Sequence, residues 1–183
     1  MHLSKWGYYA DFALYPVWIG ALATRALWHA SIAVAAIAFG AIALGLAAWS
    51  GLEYALHRWV LHRVEPFRRL HQRHHAHPSD FIGTPVWFSA ALFLVVWQFL
   101  ARWEPGFLAA ALVAGLMAGY LAYAAVHDAV HHRRVRAGSW LYRAKLRHAR
   151  HHQADARCNY AVSCSLWDRL LGTERATAID RDR

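Results

Sequence analysis

Charge is scarce in this chain. Asp, Glu, Lys and Arg make up 17% of its 183 residues, against about 25% in ordinary soluble domains. Three runs carry none of the four: Ala26–Leu52, Phe81–Ala101 and Pro105–Val126. Each exceeds the ~20 residues that cross ~30 Å of hydrocarbon as a helix. A soluble domain this small could not cover three such helices. Cysteine is nearly missing as well. Cys158 and Cys164 both fall in a cationic stretch expected to face the cytoplasm, where thiols stay reduced, so no disulfide is expected. Haem, flavin and iron–sulfur motifs are missing, and no internal repeat of about 20–50 residues is evident. The apolar N-terminal stretch lacks a basic leader and a small-residue cleavage site, so a signal peptide is not expected.

Acidic residues are also few, 11 against 20 Lys and Arg, for a net charge of +9. The excess invites a nucleic-acid partner, but the motifs of the recognised binding folds are missing. All the cations except Lys5, Arg25 and Arg102 lie in two blocks, 57–80 and 127–183. Cationic blocks alternating with apolar runs follow the positive-inside bias of membrane proteins. No nucleic-acid partner is expected.

The expected fold is all-α, one integral membrane domain over residues 1–183. It is a helical bundle with spans at about 28–52, 81–101 and 105–126, because backbone in lipid must satisfy its own hydrogen bonds. Gly40, Gly45, Gly115 and Gly119 inside the spans permit close helix packing. Residues 6–24 are apolar and aromatic but carry Asp11 and Pro16, which reads as an interfacial or half-inserted helix and leaves a fourth crossing open. A turn over residues 102–106 makes spans two and three a hairpin. The ends of that hairpin then share one membrane face, and segments 57–80 and 127–183 form a His-rich helical cap there. The positive-inside rule makes the face cytoplasmic; a bacterial inner membrane is the expected setting. Within the cap, Pro66 opens a short helix through His75. Gly138-Ser139 forms a break and N-cap before a helix over 140–152.

Histidine is what the chain has in excess. Twelve of its 14 His fall in the two basic blocks. His71, His74 and His75 form HxxHH, as do His148, His151 and His152; His127 and His131 enclose three residues, with His132 adjacent. Residues three or four apart share a helix face, so each cluster projects imidazoles to one side. His57 and His62 are five apart, which rotates them by about 140° on an α-helix. That pair either serves two metals or straddles a helix break. Ten imidazoles converging on one site cannot all be cationic, and metal coordination resolves the conflict, since neutral imidazole is the commonest protein ligand. One ion rarely takes more than about six ligands, so ten imply two ions; imidazole suits iron, copper, nickel and zinc alike. His clusters that merely ride a basic surface are the alternative, and four clusters at the ends of apolar helices argue against it. A membrane haem protein fits poorly, because only His29 sits singly within an apolar run.

The string Glu53-Tyr-Ala-Leu-His57-Arg-Trp-Val-Leu-His62, then His71-Gln-Arg-His74-His75, His127-Asp-Ala-Val-His131 and His148-Ala-Arg-His151-His152, resembles the fatty acid hydroxylase superfamily. That superfamily includes sphingolipid fatty-acid 2-hydroxylases, sterol desaturases and sterol methyl oxidases. Asn159-Tyr160 and the tail Leu166-Trp-Asp-Arg-Leu-Leu-Gly-Thr173 extend the resemblance from about Glu53 to Thr173. It implies a helical membrane domain with a dimetal centre of two Fe ions, with O2 as co-substrate; zinc can stand in for iron in a purified sample. The implied ligands are His57, His62, His71, His74, His75, His127, His131, His148, His151 and His152. His132 and His77 are additional or supporting groups. Glu53, Asp128 and Asp155 are carboxylates that could orient ligand imidazoles. No catalytic residue beyond the metal ligands is expected. The cytochrome b5 domain with its HPGG motif, often fused to eukaryotic 2-hydroxylases, is missing. An external donor, ferredoxin- or cytochrome b5-like with a reductase, is therefore implied. Carotenoid ring hydroxylases share a related pattern, and His127 to His132 gives their HxxxxH spacing.

The expected activity is hydroxylation of a lipid C–H bond in a fatty acyl, sphingolipid or sterol-like substrate. Unactivated C–H bonds defeat side-chain acids and bases, so a redox metal carries the chemistry. Carotenoid ring hydroxylation and lipid desaturation are the alternatives on the same site. A membrane zinc hydrolase, with His127-Asp-Ala-Val-His131 standing for HExxH, needs far fewer His, since catalytic zinc takes three protein ligands. A non-catalytic metal-storage or partner-binding protein is the remaining reading.

Overall fold

The structure is a computed structural model that describes residues 1–103, 105–153 and 156–175. Among these, helices account for all the regular structure: α1 (Lys5–Leu27), α2 (Ile32–Ala55), a π-helical segment (Leu56–Leu61), α3 (Phe67–Ala76), α4 (Val86–Leu100), α5 (Gly106–His132), α6 (Trp140–Gln153) and α7 (Leu166–Leu170). The chain divides into two compact units. One comprises Met1–Trp49 and Phe81–Leu121, the other Ser50–Asp80 and Ala122–Arg183.

In the first unit α5 is the most buried helix. Ala109, Ala110, Ala111, Val113, Ala114 and Met117 form its part of a core completed by Tyr15 and Leu22 of α1, Ala38 and Ala41 of α2 and Phe93 of α4. Small side chains let backbones meet. A Cβ built at Gly115 would lie 2.1 Å from the Ile42 carbonyl oxygen, and one at Gly45 would lie 2.2 Å from that of Leu112. Gly119 faces Trp49, whereas Gly40 meets nothing within 4 Å. The outward surface is apolar: Val17 of α1, Ile32, Ile37 and Phe39 of α2 and Val95 of α4 are all exposed. Such a surface is large for a monomer in water.

Among the described residues two helices are long and apolar enough to cross a membrane, Ile32–Leu61 of 30 residues and Gly106–His132 of 27. The charge-free run 81–101 is not helical throughout. Its helix α4 has 15 residues, about 22 Å at the α-helical rise, too short for the expected span. Phe81–Gly83 instead pairs with the N-terminus, where Leu3 N–H donates to the Phe81 carbonyl (2.9 Å) and Gly83 N–H to that of Met1 (3.2 Å). Pro85 then caps the helix. Residues 6–24 lie within a single 23-residue helix that runs through Pro16. Ser4 caps it by accepting from Gly7 N–H at 3.1 Å. Its buried Asp11 accepts from the Tyr120 hydroxyl, and the Tyr15 hydroxyl donates to Ser89 Oγ at 2.8 Å. Residue 104 of the expected 102–106 turn lies outside the described residues.

In the second unit Pro66 caps α3. Gly138 adopts φ +75° before α6, where Ser139 Oγ accepts from Tyr142 N–H at 3.1 Å. Both helix starts fall where the sequence puts them. The core joins Tyr54 to Tyr160, Ala161 and Trp167, and Val130 to Ala144 and Val162.

Candidate metal centre

The winding of residues 56–61 decides how the first two histidines meet. After Ala55 the helix loosens to a π pattern, in which hydrogen bonds span five residues rather than four. Residues five apart then lie on one side instead of about 140° apart. His57 and His62 accordingly have ring centroids 5.1 Å apart. The pair joins one group rather than serving two.

Two groups of imidazoles form, each with its donor nitrogens within 4.8 Å of one another. The first contains His57, His62, His71, His75 and His151, the second His74, His131, His148 and His152. In the first, Nε2 of His71 lies 2.9 Å from that of His57, 3.1 Å from His62 and 3.0 Å from His75. His62 and His151 approach at 3.1 Å. In the second, the Nε2 atoms of His131 and His148 are 2.8 Å apart. Each HxxHH cluster divides between the groups. His71 and His75 enter the first and His74 the second; His148 and His152 enter the second and His151 the first. The groups adjoin where the rings of His75 and His152 stack at 4.1 Å.

His127 stands beside the second group, its ring centroid 4.6 Å from His131, 4.9 Å from His74 and 5.0 Å from His148. His132 lies outside both groups, 6.2 Å from His131 between ring centroids, whereas His131, at the HxxxH spacing from His127, lies in the second. His77 is exposed at the end of α3. Asp128 is buried and accepts from Arg133 Nε at 3.3 Å. Asp155 lies outside the described residues.

Glu53 acts differently from the expected direct hold on an imidazole. Its buried carboxylate accepts from Val162 N–H at 2.6 Å, Ser163 N–H at 2.8 Å and the Ser163 hydroxyl. A second carboxylate, Asp168, fully buried, accepts from Tyr160 N–H and Ala161 N–H, each at 2.9 Å, and from the Thr173 hydroxyl at 2.7 Å. Between them these carboxylates fix a loop whose carbonyls face the histidines. Nδ1 of His151 lies 2.7 Å from the Cys158 carbonyl oxygen, and Nδ1 of His57 contacts that of Tyr160. A carbonyl oxygen only accepts, so each Nδ1 carries the hydrogen and each Nε2 presents its lone pair to the group. Asp168 and the two carbonyls have no local sequence signal; only the family-like tail around Asp168 marked the region.

Burial and neighbouring imidazoles keep these rings neutral. The pKa values of His75 and His62 fall to about 4, that of His74 to about 3 and that of His152 to about 2. Burial is the largest cause in each. The charge of a neighbour adds to it, His62 for His75, Arg63 for His62, His131 for His74 and His75 for His152. His71 and His148 are lowered further by burial and then by His57 and His127 respectively. Neutral imidazoles whose lone pairs converge at ~3 Å repel unless something between them accepts those pairs. Both ring nitrogens of His74 and of His152, and Nδ1 of His148, are buried with no hydrogen-bond partner among the described residues. Orphaned buried nitrogens in an all-imidazole set fit transition metals such as iron or zinc.

An all-α chain with long apolar helices and two adjoining imidazole groups defines a class, the His-rich helical proteins able to bind metal ions. Comparison narrows it. The fatty acid hydroxylase family profile matches residues 42–173, and the chain belongs to that family of enzymes. The rat fatty acid 2-hydroxylase is 28% identical over 139 residues, 68% of this chain and 37% of that protein. A dihydroceramide fatty acyl 2-hydroxylase from Arabidopsis thaliana is 28% identical over 134 residues, 68% of this chain and 56% of that protein. The chain thus spans about four- to six-tenths of the length of these relatives. The solved structure of full-length scs7p, in which only the hydroxylase domain is visible, shares the fold. Its TM-score is 0.82 at 21% identity, covering 93% of this chain and 67% of that one.

Proposed function

We propose that this chain is an integral membrane, O2-dependent hydroxylase acting on a lipid acyl chain. In this reading His57, His62, His71, His75 and His151 hold one iron ion, and His74, His127, His131, His148 and His152 hold the other. The single observation that carries it is the division of the imidazoles into two adjoining groups, with Nε2 atoms turned toward one another. When bound, the iron pair supplies the redox chemistry that side chains lack, insertion of one atom of O2 into a C–H bond. The protein's part is to keep His62, His71, His74, His75, His148 and His152 neutral by burial and to fix the tautomers of His57 and His151. It also places their donors in register before any ion arrives.

The acyl carbon next to the carbonyl is the proposed site of attack, because the relatives at 28% identity are named as 2-hydroxylases. Residues 1–183 act as a single membrane domain, with α2 and α5 as spans and the basic, His-rich segments on the cytoplasmic side by the positive-inside rule. Electrons come from a separate ferredoxin- or cytochrome b5-like protein with its reductase. The exclusion of His132 from both groups disfavours the carotenoid ring hydroxylase reading, which needs the His127–His132 spacing.

Lipid mass spectrometry of cells with and without the gene tests the proposal. The expected result is a 2-hydroxylated acyl chain, heavier by about 16 Da, one oxygen atom. The product should vanish without O2 and with His151→Ala, while the variant still fractionates with membranes. A gene-dependent lipid cleavage that persists without O2, with no gain of one oxygen, would assign hydrolysis instead. An unchanged lipid profile would leave metal binding without catalysis.

A further inference from the structure

The two imidazole groups differ in the hydrogen bonds made by their ring nitrogens. In the first, His57 and His151 each give Nδ1–H to a carbonyl of one loop, at Tyr160 and Cys158. Every main-chain N–H from Asn159 to Ser163 in that loop has an acceptor. Asn159 N–H reaches the Thr173 carbonyl at 3.0 Å, those of Tyr160 and Ala161 reach Asp168, and those of Val162 and Ser163 reach Glu53. The left-handed backbone at Asn159, φ +54°, is further fixed because its side-chain oxygen accepts from Arg175 N–H at 2.8 Å. Two buried carboxylates spent on one six-residue loop need a reason, since burying a charge is costly unless it is fully hydrogen-bonded. In the second group no comparable support exists among the described residues. The rings of His74 and His152 have both nitrogens orphaned, and His148 has its Nδ1 orphaned.

We propose that the Cys158–Ser163 loop is a clamp serving the group of His57, His62, His71, His75 and His151 alone, so that the two metal ions bind unequally and in order. The first ion enters the clamped group and stays; the second enters the group around His74 and His148 and leaves sooner. Glu53 and Asp168 are positioning residues that act through the loop carbonyls on the tautomer and ring angle of His57 and His151. Outer hydrogen bonds of this kind typically change metal affinity about 10–100-fold. The inference rests on the dimetal reading above.

The geometry also separates the two carboxylates. One oxygen of Glu53 accepts both main-chain N–H groups, while the other meets a hydroxyl that can turn to donate or accept. A glutamine can keep this pattern. Asp168 uses each oxygen for a different main-chain N–H, so an asparagine must point its amide hydrogens at one of them. Asp168→Asn should therefore break the clamp, Glu53→Gln should preserve it, and Glu53→Ala should break it.

The test uses the purified full chain in detergent, stripped of metal, loaded with Co2+ and chased with EDTA while cobalt absorbance is followed. With two equivalents the wild type should release one ion quickly and one slowly; with one equivalent it should show the slow phase alone. Asp168→Asn and Glu53→Ala should speed the slow phase about 10–100-fold and leave the fast phase unchanged, with Glu53→Gln close to wild type. Release of both wild-type ions in one phase would overturn the proposal without recourse to any variant. So would equal acceleration of both phases by Asp168→Asn, which marks general loosening, or a slow phase that none of the substitutions alters. Binding of fewer than two Co2+ by the wild type would instead refute the dimetal reading itself.

Discussion

Replacing Gly115 by alanine puts a methyl group 2.1 Å from the Ile42 carbonyl oxygen and 2.9 Å from its carbon. The atoms it meets are backbone, so no side chain can swing aside. Ordinary contact begins near 3.4 Å, and α2 and α5 must part by roughly 1 Å to reach it. Overpacking of this kind costs about 1–3 kcal/mol. In lipid the loss falls on van der Waals contact, which is the main attraction between helices there. Gly45→Ala strikes the same crossing from the other helix, at 2.2 Å from the Leu112 carbonyl oxygen. Once one substitution has spread the helices the second meets less resistance, so the double variant should lose less than the sum of the singles. Gly40→Ala is the control. Nothing lies within 4 Å of its Cβ position, and alanine's better helix propensity should leave stability unchanged or raised by up to about 1 kcal/mol. Reversible unfolding in mixed micelles, titrated with a denaturing detergent, reads all four. A Gly115→Ala protein within about 0.5 kcal/mol of wild type, or strict additivity with Gly45→Ala, would refute a backbone-to-backbone crossing.

Two further outcomes follow from the imidazole groups. His148→Ala removes a donor from the second group only, so the purified protein should keep one tightly held ion of two by elemental analysis; loss of both would mean that the groups are not separable. The metal-free protein should weaken as pH falls from about 6.5, the ordinary imidazole pKa, toward 4. The folded values of His62 and His75 lie at about 4 and those of His74 and His152 lower still. The unfolded chain therefore binds protons first, and stability rises with pH across that window and levels off above it. Denaturant midpoints of stripped protein between pH 7.5 and 4.5 check the sign, and a stability that rises on acidification would contradict it.

The legible parts of this molecule are those written at short range. HxxHH and HxxxH are helix-face spacings, and seven of their eight imidazoles lie in the two groups, with His127 beside one of them. The cap signals at Pro66 and Ser139 were equally local. The misread parts depend on distant partners. Composition made 81–101 one helix, but Phe81–Gly83 is taken by the N-terminus and Pro85 sets the start. Helical spacing put 71, 74 and 75 on one face, yet a face is wide enough for its residues to serve two neighbours. Glu53 stood four residues before His57, and its partners lie more than a hundred residues away. Asp168 gave no local signal of its own for the same reason.

The π-helical segment carries a consequence for how such chains can be recognised. Five-residue spacing is the wrong interval for an α-helix, and a search for ligands on a common face would discard His57 and His62. A helix that widens for one turn admits an extra residue without extra elements, so a chain limited in length by bilayer thickness can add a ligand where a membrane helix ends. An interval of five between two histidines at the close of an apolar run is therefore the written trace of that wider turn.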